Sequence, residues 1–142
     1  MKLIGIDYGR RRIGLAVCDE TGTCVRGLET IDLQKNPDPL SSICSLCRSL
    51  CADGIVIGLP LDSDDNETAM SREVRKFAAN LEKSVAIPVY FIDESMTSKK
   101  AEGLLLFRRK KERRNKTAVD RIAACLILES FLSQNPANPD QQ

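Results

Sequence analysis

Apolar and polar positions alternate through the first third of the chain, and then the pattern changes. Residues 2–8, KLIGIDY, form an apolar run that ends beside an acid and is followed by a glycine. Such a run predicts a buried strand with a polar tip. A turn at Gly9, Arg10 and Arg11 leads to a second strand, RIGLAVCD (12–19), and a turn over Asp19–Gly22 leads to a third, TCVRGLETI (23–31). Short turns join antiparallel neighbours, so these three strands form a meander. Asn36, Pro37, Asp38 and Pro39 then break the chain and open a helix over about 40–52.

Beyond that helix, strands and helices take turns. GIVIGLP (54–60) is a short apolar strand closed by Gly58 and Pro60, and the polar DSDDNE after it is a loop. Ala69, Val74, Phe77, Ala78 and Leu81 share one face of a helix over 67–84. PVYFID (88–93) is the fifth strand, a helix follows near 97–107, and a last helix spans 117–133. Its expected apolar face is Val119, Ile122, Ala123, Leu126, Ile127 and Leu132, with Thr117 or Asn115 capping its start. Strand–helix–strand units force parallel neighbours, whereas the meander forces antiparallel ones. A mixed five-stranded α/β sheet with helices on both faces satisfies both, and this element order is the ribonuclease H-like arrangement. Residues 1–134 are expected to form a single domain and 135–142, NPANPDQQ, a flexible tail.

Composition narrows the chemistry. A length of 142 residues with 42% apolar content suits one core. The chain has no histidine, which removes Ser-His-Asp triads, Cys-His pairs and His-ligated zinc. With four Phe, two Tyr and no Trp, an aromatic platform for stacking single strands is not expected. No apolar run approaches the roughly 20 residues of a membrane span. The start, MKLIGIDYG, runs straight into Asp7 and so lacks the look of a signal peptide. A cytoplasmic protein without a membrane partner is the expectation.

The net charge of +1 hides an asymmetry. RRKKERRNK (108–116) holds seven cations and one anion, which leaves the remaining residues at −5. Such a run is either a solvated surface or a grip on an anionic polymer. Cys44, Cys47 and Cys51 have the spacing of one helix face and interleave with Leu40, Ile43, Leu46 and Leu50. They are expected to be core residues rather than metal ligands, because cysteine packs as a small hydrophobe.

Three acids occupy positions that a core does not require. Asp7 is near the tip of the first strand, Glu94 directly follows the fifth, and Asp120 lies in the first turn of the last helix. Each has an ordinary alternative role, as a turn former or as a partner for the helix dipole. The first and fifth strands run parallel in this order, so both tips reach the sheet edge where ligands bind in α/β folds. A carboxylate cluster there repels itself unless cations neutralise it, and hard oxygen donors select magnesium or manganese.

GIDYGRRRIGLAVCD, VIGLPLDSDDNE, VYFIDESMTSKKAEGLL and KTAVDRIAACLILESFL together resemble the ordered signature segments of the YqgF/RuvX family. That family is similar to Holliday-junction resolvases of the RuvC type. The resemblance implies that Asp7, Glu94 and Asp120 are the metal ligands and catalytic acids, and that the activity is maturation of the 5′ end of pre-16S rRNA. Two departures stand out. Ser95 replaces the Arg that usually follows the Asp-Glu pair, and Asp64-Asp65 stands where an Asp-Gly is usual.

The implied chemistry is two-metal hydrolysis of a phosphodiester, with two Mg²⁺ or Mn²⁺ ions about 4 Å apart. Asp7 is expected to be central, with Glu94 and Asp120 to either side. Asp93 is a weaker candidate, because strand alternation turns it to the other face. Arg10, Arg11 and Arg12 are either cations that orient a phosphate or steady a carboxylate beside Asp7, or turn cations, and the second role is the expected one. Arg108, Arg109, Lys110, Lys111, Arg113, Arg114 and Lys116 would hold the phosphate backbone without selecting sequence. RNA is the favoured partner, structured DNA is the alternative, and the protein is expected to be a monomer or weak homodimer. The rivals are a junction-cutting DNA endonuclease, a nucleic-acid-binding module with weakened catalysis, and an actin-like ATPase. The last needs two such domains, and this chain has room for one.

Overall fold

A computed structural model describes residues 1–61, 64, 66–93 and 116–134, with the backbone alone at 116–118. The described strands are β1 (Leu3–Tyr8), β2 (Arg12–Cys18), β3 (Val25–Gly27), β4 (Ile31–Asp32), β5 (Gly54–Leu59) and β6 (Val89–Asp93). The helices are α1 (Pro39–Leu50), α2 (Ala69–Ser84) and α3 (Lys116–Gln134). The sheet runs β3-β2-β1-β5-β6, with β4 also on β2. β1 pairs antiparallel with β2, whereas β1, β5 and β6 run parallel. The mixed sheet expected from the element order is therefore present, and the tips of β1 and β6 lie at the same edge.

The expected third strand is divided, so the sheet has six described strands rather than five. Ala16 pairs with Gly27 and Val17 with Arg26, a register that would carry Ile13 to Thr30. Ile13 pairs instead with Ile31. One extra residue thus enters between β3 and β4, which is the count of a β-bulge. The bulge has a packing reason. Leu28 and Ile31 both rest against the core cluster that holds Ile13, and residues three apart reach one face only if the alternation slips once.

Two layers of helix cover the sheet. Ile4, Ile6, Ile13, Leu15, Ile55 and Ile57 face α1 and α2, where they meet Ile43, Cys44, Cys47, Val74, Phe77 and Leu81. Leu3, Ala16, Cys18, Val56 and Ile92 face α3, where they meet Ala124, Ile127, Leu128 and Phe131. The buried strip of α3 is therefore rotated from the expected face. Ile122 and Leu126 are only half-buried, while Ala124 and Leu128 are fully buried. The strand residues below explain the rotation: a Cβ on Gly5 would come within 2.6 Å of Leu128 Cγ and 2.9 Å of the Ala124 carbonyl oxygen. The helix lies flush where the sheet is smallest, not where its own side chains are largest.

The helix ends follow their sequence signals. Asp38 caps α1 by accepting from the Ser41 amide at 3.3 Å, with Pro39 in the first position. Thr68 and Ser71 form a reciprocal capping box on α2. Helix α3 begins at Lys116, so Thr117 lies inside its first turn rather than capping it, and Asn115 is outside the described residues. The helix expected near 97–107 and the tail 135–142 are also outside them.

Cys44 and Cys47 are buried in the core, as the helical spacing predicts. Cys51 departs from that stripe: it is exposed and ends α1 in a left-handed conformation, φ 53°. All six cysteines are free, and burial pushes the Cys47 thiol up to about 11, with the neighbouring Cys44 adding to the shift. It is a packed thiol at neutral pH. Replacing Cys44 or Cys47 by Ala should cost about 1 kcal/mol each in chemical denaturation, through lost packing. Zinc bound at one equivalent to the wild-type chain and lost in the double variant would contradict this assignment.

Candidate functional site

Two of the three acids are placed on either side of one residue, Gly14, at the edge shared by β1 and α3. Asp7 pairs with Gly14 across the antiparallel ladder. The alternation that turns Leu3 and Gly5 towards α3 turns Asp7 the same way. A Cβ on Gly14 would lie 2.2 Å from the Asp120 carbonyl oxygen, so α3 passes directly over the residue opposite Asp7. Because α3 begins at Lys116, Asp120 lies just past its first turn rather than in it. The absence of a side chain at position 14 is what lets the two carboxyl-bearing residues, far apart in sequence, converge.

A cation belongs to this site. Arg12 lies on the same face of β2 as Gly14, and its Nε donates to Asp120 Oδ2 at 2.9 Å. The pair is mostly buried, with side-chain exposures of 24% and 21%. Arg12 is therefore not the turn cation its setting suggests. Arg10 does match that description: it is 65% exposed and donates from Nε and Nη2 to Glu73 Oε2 at 2.9 and 2.5 Å. Glu73 holds the Arg10 guanidinium even further above its ordinary range. On the opposite face of β1, the Tyr8 ring stacks on Phe77 with centroids 4.6 Å apart. The β1–β2 hairpin is thus tied to α2 from one side and to α3 from the other.

The remaining expected residues divide as follows. Asp93 ends β6 opposite Leu59 and is exposed. Val89 and Phe91 pack towards α2, whereas Tyr90 and Ile92 pack towards α3, so Asp93 falls on the α2 side, away from Asp7. Glu94 and the basic residues Arg108, Arg109, Lys110, Lys111, Arg113 and Arg114 lie outside the described residues, and of Lys116 only the backbone is described. Among the described residues, no three Cys, Asp or Glu side chains gather into a metal-holding group. Asp7 and Asp120 are the two expected acids that the described fold brings together.

The model of a family described as "RuvX: Holliday junction resolvase" matches residues 1–134. The chain belongs to the RuvX family. It is 40% identical over 132 residues to a protein of Syntrophus aciditrophicus named "Putative pre-16S rRNA nuclease", covering 93% of this chain and 88% of that one. A protein of the same name from Crocosphaera subtropica is 38% identical over 135 residues, covering 95% and 94%. The fold is shared with Thermus thermophilus RuvC in its complex with a Holliday junction substrate, at TM-score 0.59 and 17% identity over 96% of each chain. It is also shared with the fowlpox virus resolvase bound to Holliday junction DNA, at TM-score 0.60 and 12% identity over 94% and 98%. The ribonuclease H-like architecture expected from the element order is the one this RuvX chain has.

Gly14 is not singled out by the sequence reading, and Arg12 is there ranked as a turn cation ahead of a carboxylate partner. Their signal is present in RIGLAVC. The odd positions Ile13, Leu15 and Val17 are large, and the even positions after Arg12 are Gly14, Ala16 and Cys18. A face of small residues marks where a helix lies close, and Arg12 is the one long side chain on it. Gly14→Ala should push the N-terminal part of α3 away, because the contact is with the Asp120 backbone, which cannot rotate aside. The expected loss is about 1–3 kcal/mol in thermal or chemical denaturation. Wild-type stability in Gly14→Ala would contradict the close approach.

Proposed function

We propose that this chain is a divalent-metal-dependent nuclease that hydrolyses phosphodiester bonds, with pre-16S rRNA, cut at its 5′ end, as substrate. The observation that carries the reading is the convergence of Asp7 and Asp120 over Gly14. The substrate follows the names of the relatives, and nucleic acid as the polymer also fits the junction DNA bound by the neighbours of the same fold. The donor set fits the cofactor: carboxylate oxygens are hard ligands suited to Mg²⁺ or Mn²⁺, and no imidazole or thiolate is needed.

In this reading Asp7 and Asp120 supply two of the carboxylates, and the third is Glu94, the next residue in sequence after β6, a strand that runs parallel to β1 by way of β5. When bound, the two ions would activate water and stabilise the charge that develops on the phosphate. The residues of the chain hold position. Asp7 is fixed by its place opposite Gly14 in the antiparallel ladder, and Asp120 by the helix over Gly14 and by Arg12. The cations of 108–116, Lys116 included, would grip the backbone of the polymer by charge, a sequence-independent contact. A single strand of RNA does not require two-fold symmetry, which agrees with a monomer or weak homodimer; a four-way DNA junction would favour a symmetric dimer.

Asp7→Asn keeps the shape of the side chain and removes its charge. Cleavage of a pre-16S rRNA precursor in the presence of Mn²⁺ should fall by orders of magnitude, while the metal-free protein stays folded in circular dichroism. Asp120→Asn should lose cleavage as well, but it should also melt earlier, because it leaves Arg12 without its carboxylate. Full cleavage by Asp7→Asn would remove the site. Cleavage of a four-way DNA junction in preference to the RNA would move the substrate to the resolvase alternative.

A further inference from the structure

The Arg12–Asp120 pair places a permanent cation inside a site read above as built to hold other cations. Three observations make this more than a surface ion pair. The pair is mostly buried. Arg12 has a second carboxylate directly across the ladder, Asp32 of β4, yet its hydrogen bond goes to Asp120. Asp32 is spent locally, accepting from the Gln34 amide at 3.0 Å. Finally, among the described residues Arg12 bonds one carboxylate oxygen, Asp120 Oδ2, through Nε.

We infer that Arg12 is a resident counter-cation of the carboxylate site: it balances Asp120 when no divalent ion is bound and weakens the hold on that ion when one is. The inference rests on the metal-site reading of Asp7 and Asp120 given above. Its physical basis is the sum of two effects. Carboxylates brought to one point repel each other, and a guanidinium on one of them relieves that repulsion in the metal-free protein. The same guanidinium, held within a few ångströms of an incoming divalent ion, repels it, and partial burial preserves that repulsion from solvent screening. Arg12 is a positioning residue here, and its charge sets how tightly the site binds metal.

The test is Mn²⁺ binding to the full chain, read by the loss of the free-ion electron paramagnetic resonance signal and by metal-free melting temperature. Arg12→Gln should melt earlier without metal and bind Mn²⁺ about tenfold more tightly than wild type. Arg12→Lys, which keeps the charge, should retain wild-type affinity. Should Arg12→Gln fail to fold, Arg12→Met keeps the aliphatic stem and carries the same comparison. Tighter binding is an outcome that a merely structural arginine does not produce. Affinity equal to or weaker than wild type in the neutral variant would overturn the inference, as would Arg12→Lys binding as tightly as Arg12→Gln. Asp7→Asn separates the two readings. If Asp7→Asn lowers Mn²⁺ affinity and Arg12→Gln does not raise it, the site stands and the role of Arg12 falls. If wild type binds no Mn²⁺, or Asp7→Asn binds as well as wild type, the site itself falls and the role of Arg12 with it.

Discussion

The site depends on how closely α3 approaches the β1–β2 hairpin. A helix resting on ordinary strand side chains keeps its backbone well above the sheet. Here Gly5 and Gly14 remove those side chains at two points, and the carbonyls of Ala124 and Asp120 descend into the space. Gly5 fixes the middle of the helix and Gly14 its N-terminal part, at Asp120. Because Gly14 is paired with Asp7, the second contact sets the separation of two acids as well as a packing distance. Packing and the placement of the two acids share one constraint, so a methyl group at position 14 disturbs both.

That constraint also explains the charge arrangement. Bringing Asp120 down over the hairpin buries most of its carboxylate, and a buried carboxylate needs a partner. Arg12 is the residue that the alternation of β2 delivers to that spot, two positions from Gly14 on the same face. Arg10 of the turn does not compete for the role. It reaches across to Glu73 on α2, and Arg75 of that helix pairs with Glu67, drawing the Glu67 carboxyl below its usual range. The arginines nearest the site thus serve different ends: Arg12 holds an acid of the site, and Arg10 anchors the hairpin that carries Asp7.

Much of this was legible in the sequence, for reasons that differ by element. β1, β2, β5 and β6 were clear because buried strands need unbroken apolar runs, and turn residues close them. Asp7 and Asp120 stood out as acids interrupting or opening apolar elements. The division of the third strand was harder, although Leu28 and Ile31, three residues apart, cannot share one face of a regular strand; the bulge is written in that spacing. The orientation of α3 is not legible in its own residues, because apolar side chains occur on nearly all its sides; size points to one face, while the glycines of the sheet select another. Arg12 was hidden by its neighbours. Three consecutive arginines after a glycine look alike as turn cations, and only the strand register separates the third from the first two. Cys51 fits the heptad-like spacing of Cys44 and Cys47, but the helix ends before it.

The central claim is that Asp7 and Asp120 converge to hold one cation centre. Crystals of the wild-type chain grown with Mn²⁺ test it most directly, through the anomalous scattering of manganese. The account predicts a manganese peak at the tip of β1, with carboxylate oxygens of both Asp7 and Asp120 at about 2 Å. Manganese bound elsewhere, or held at that tip without Asp120, would contradict it.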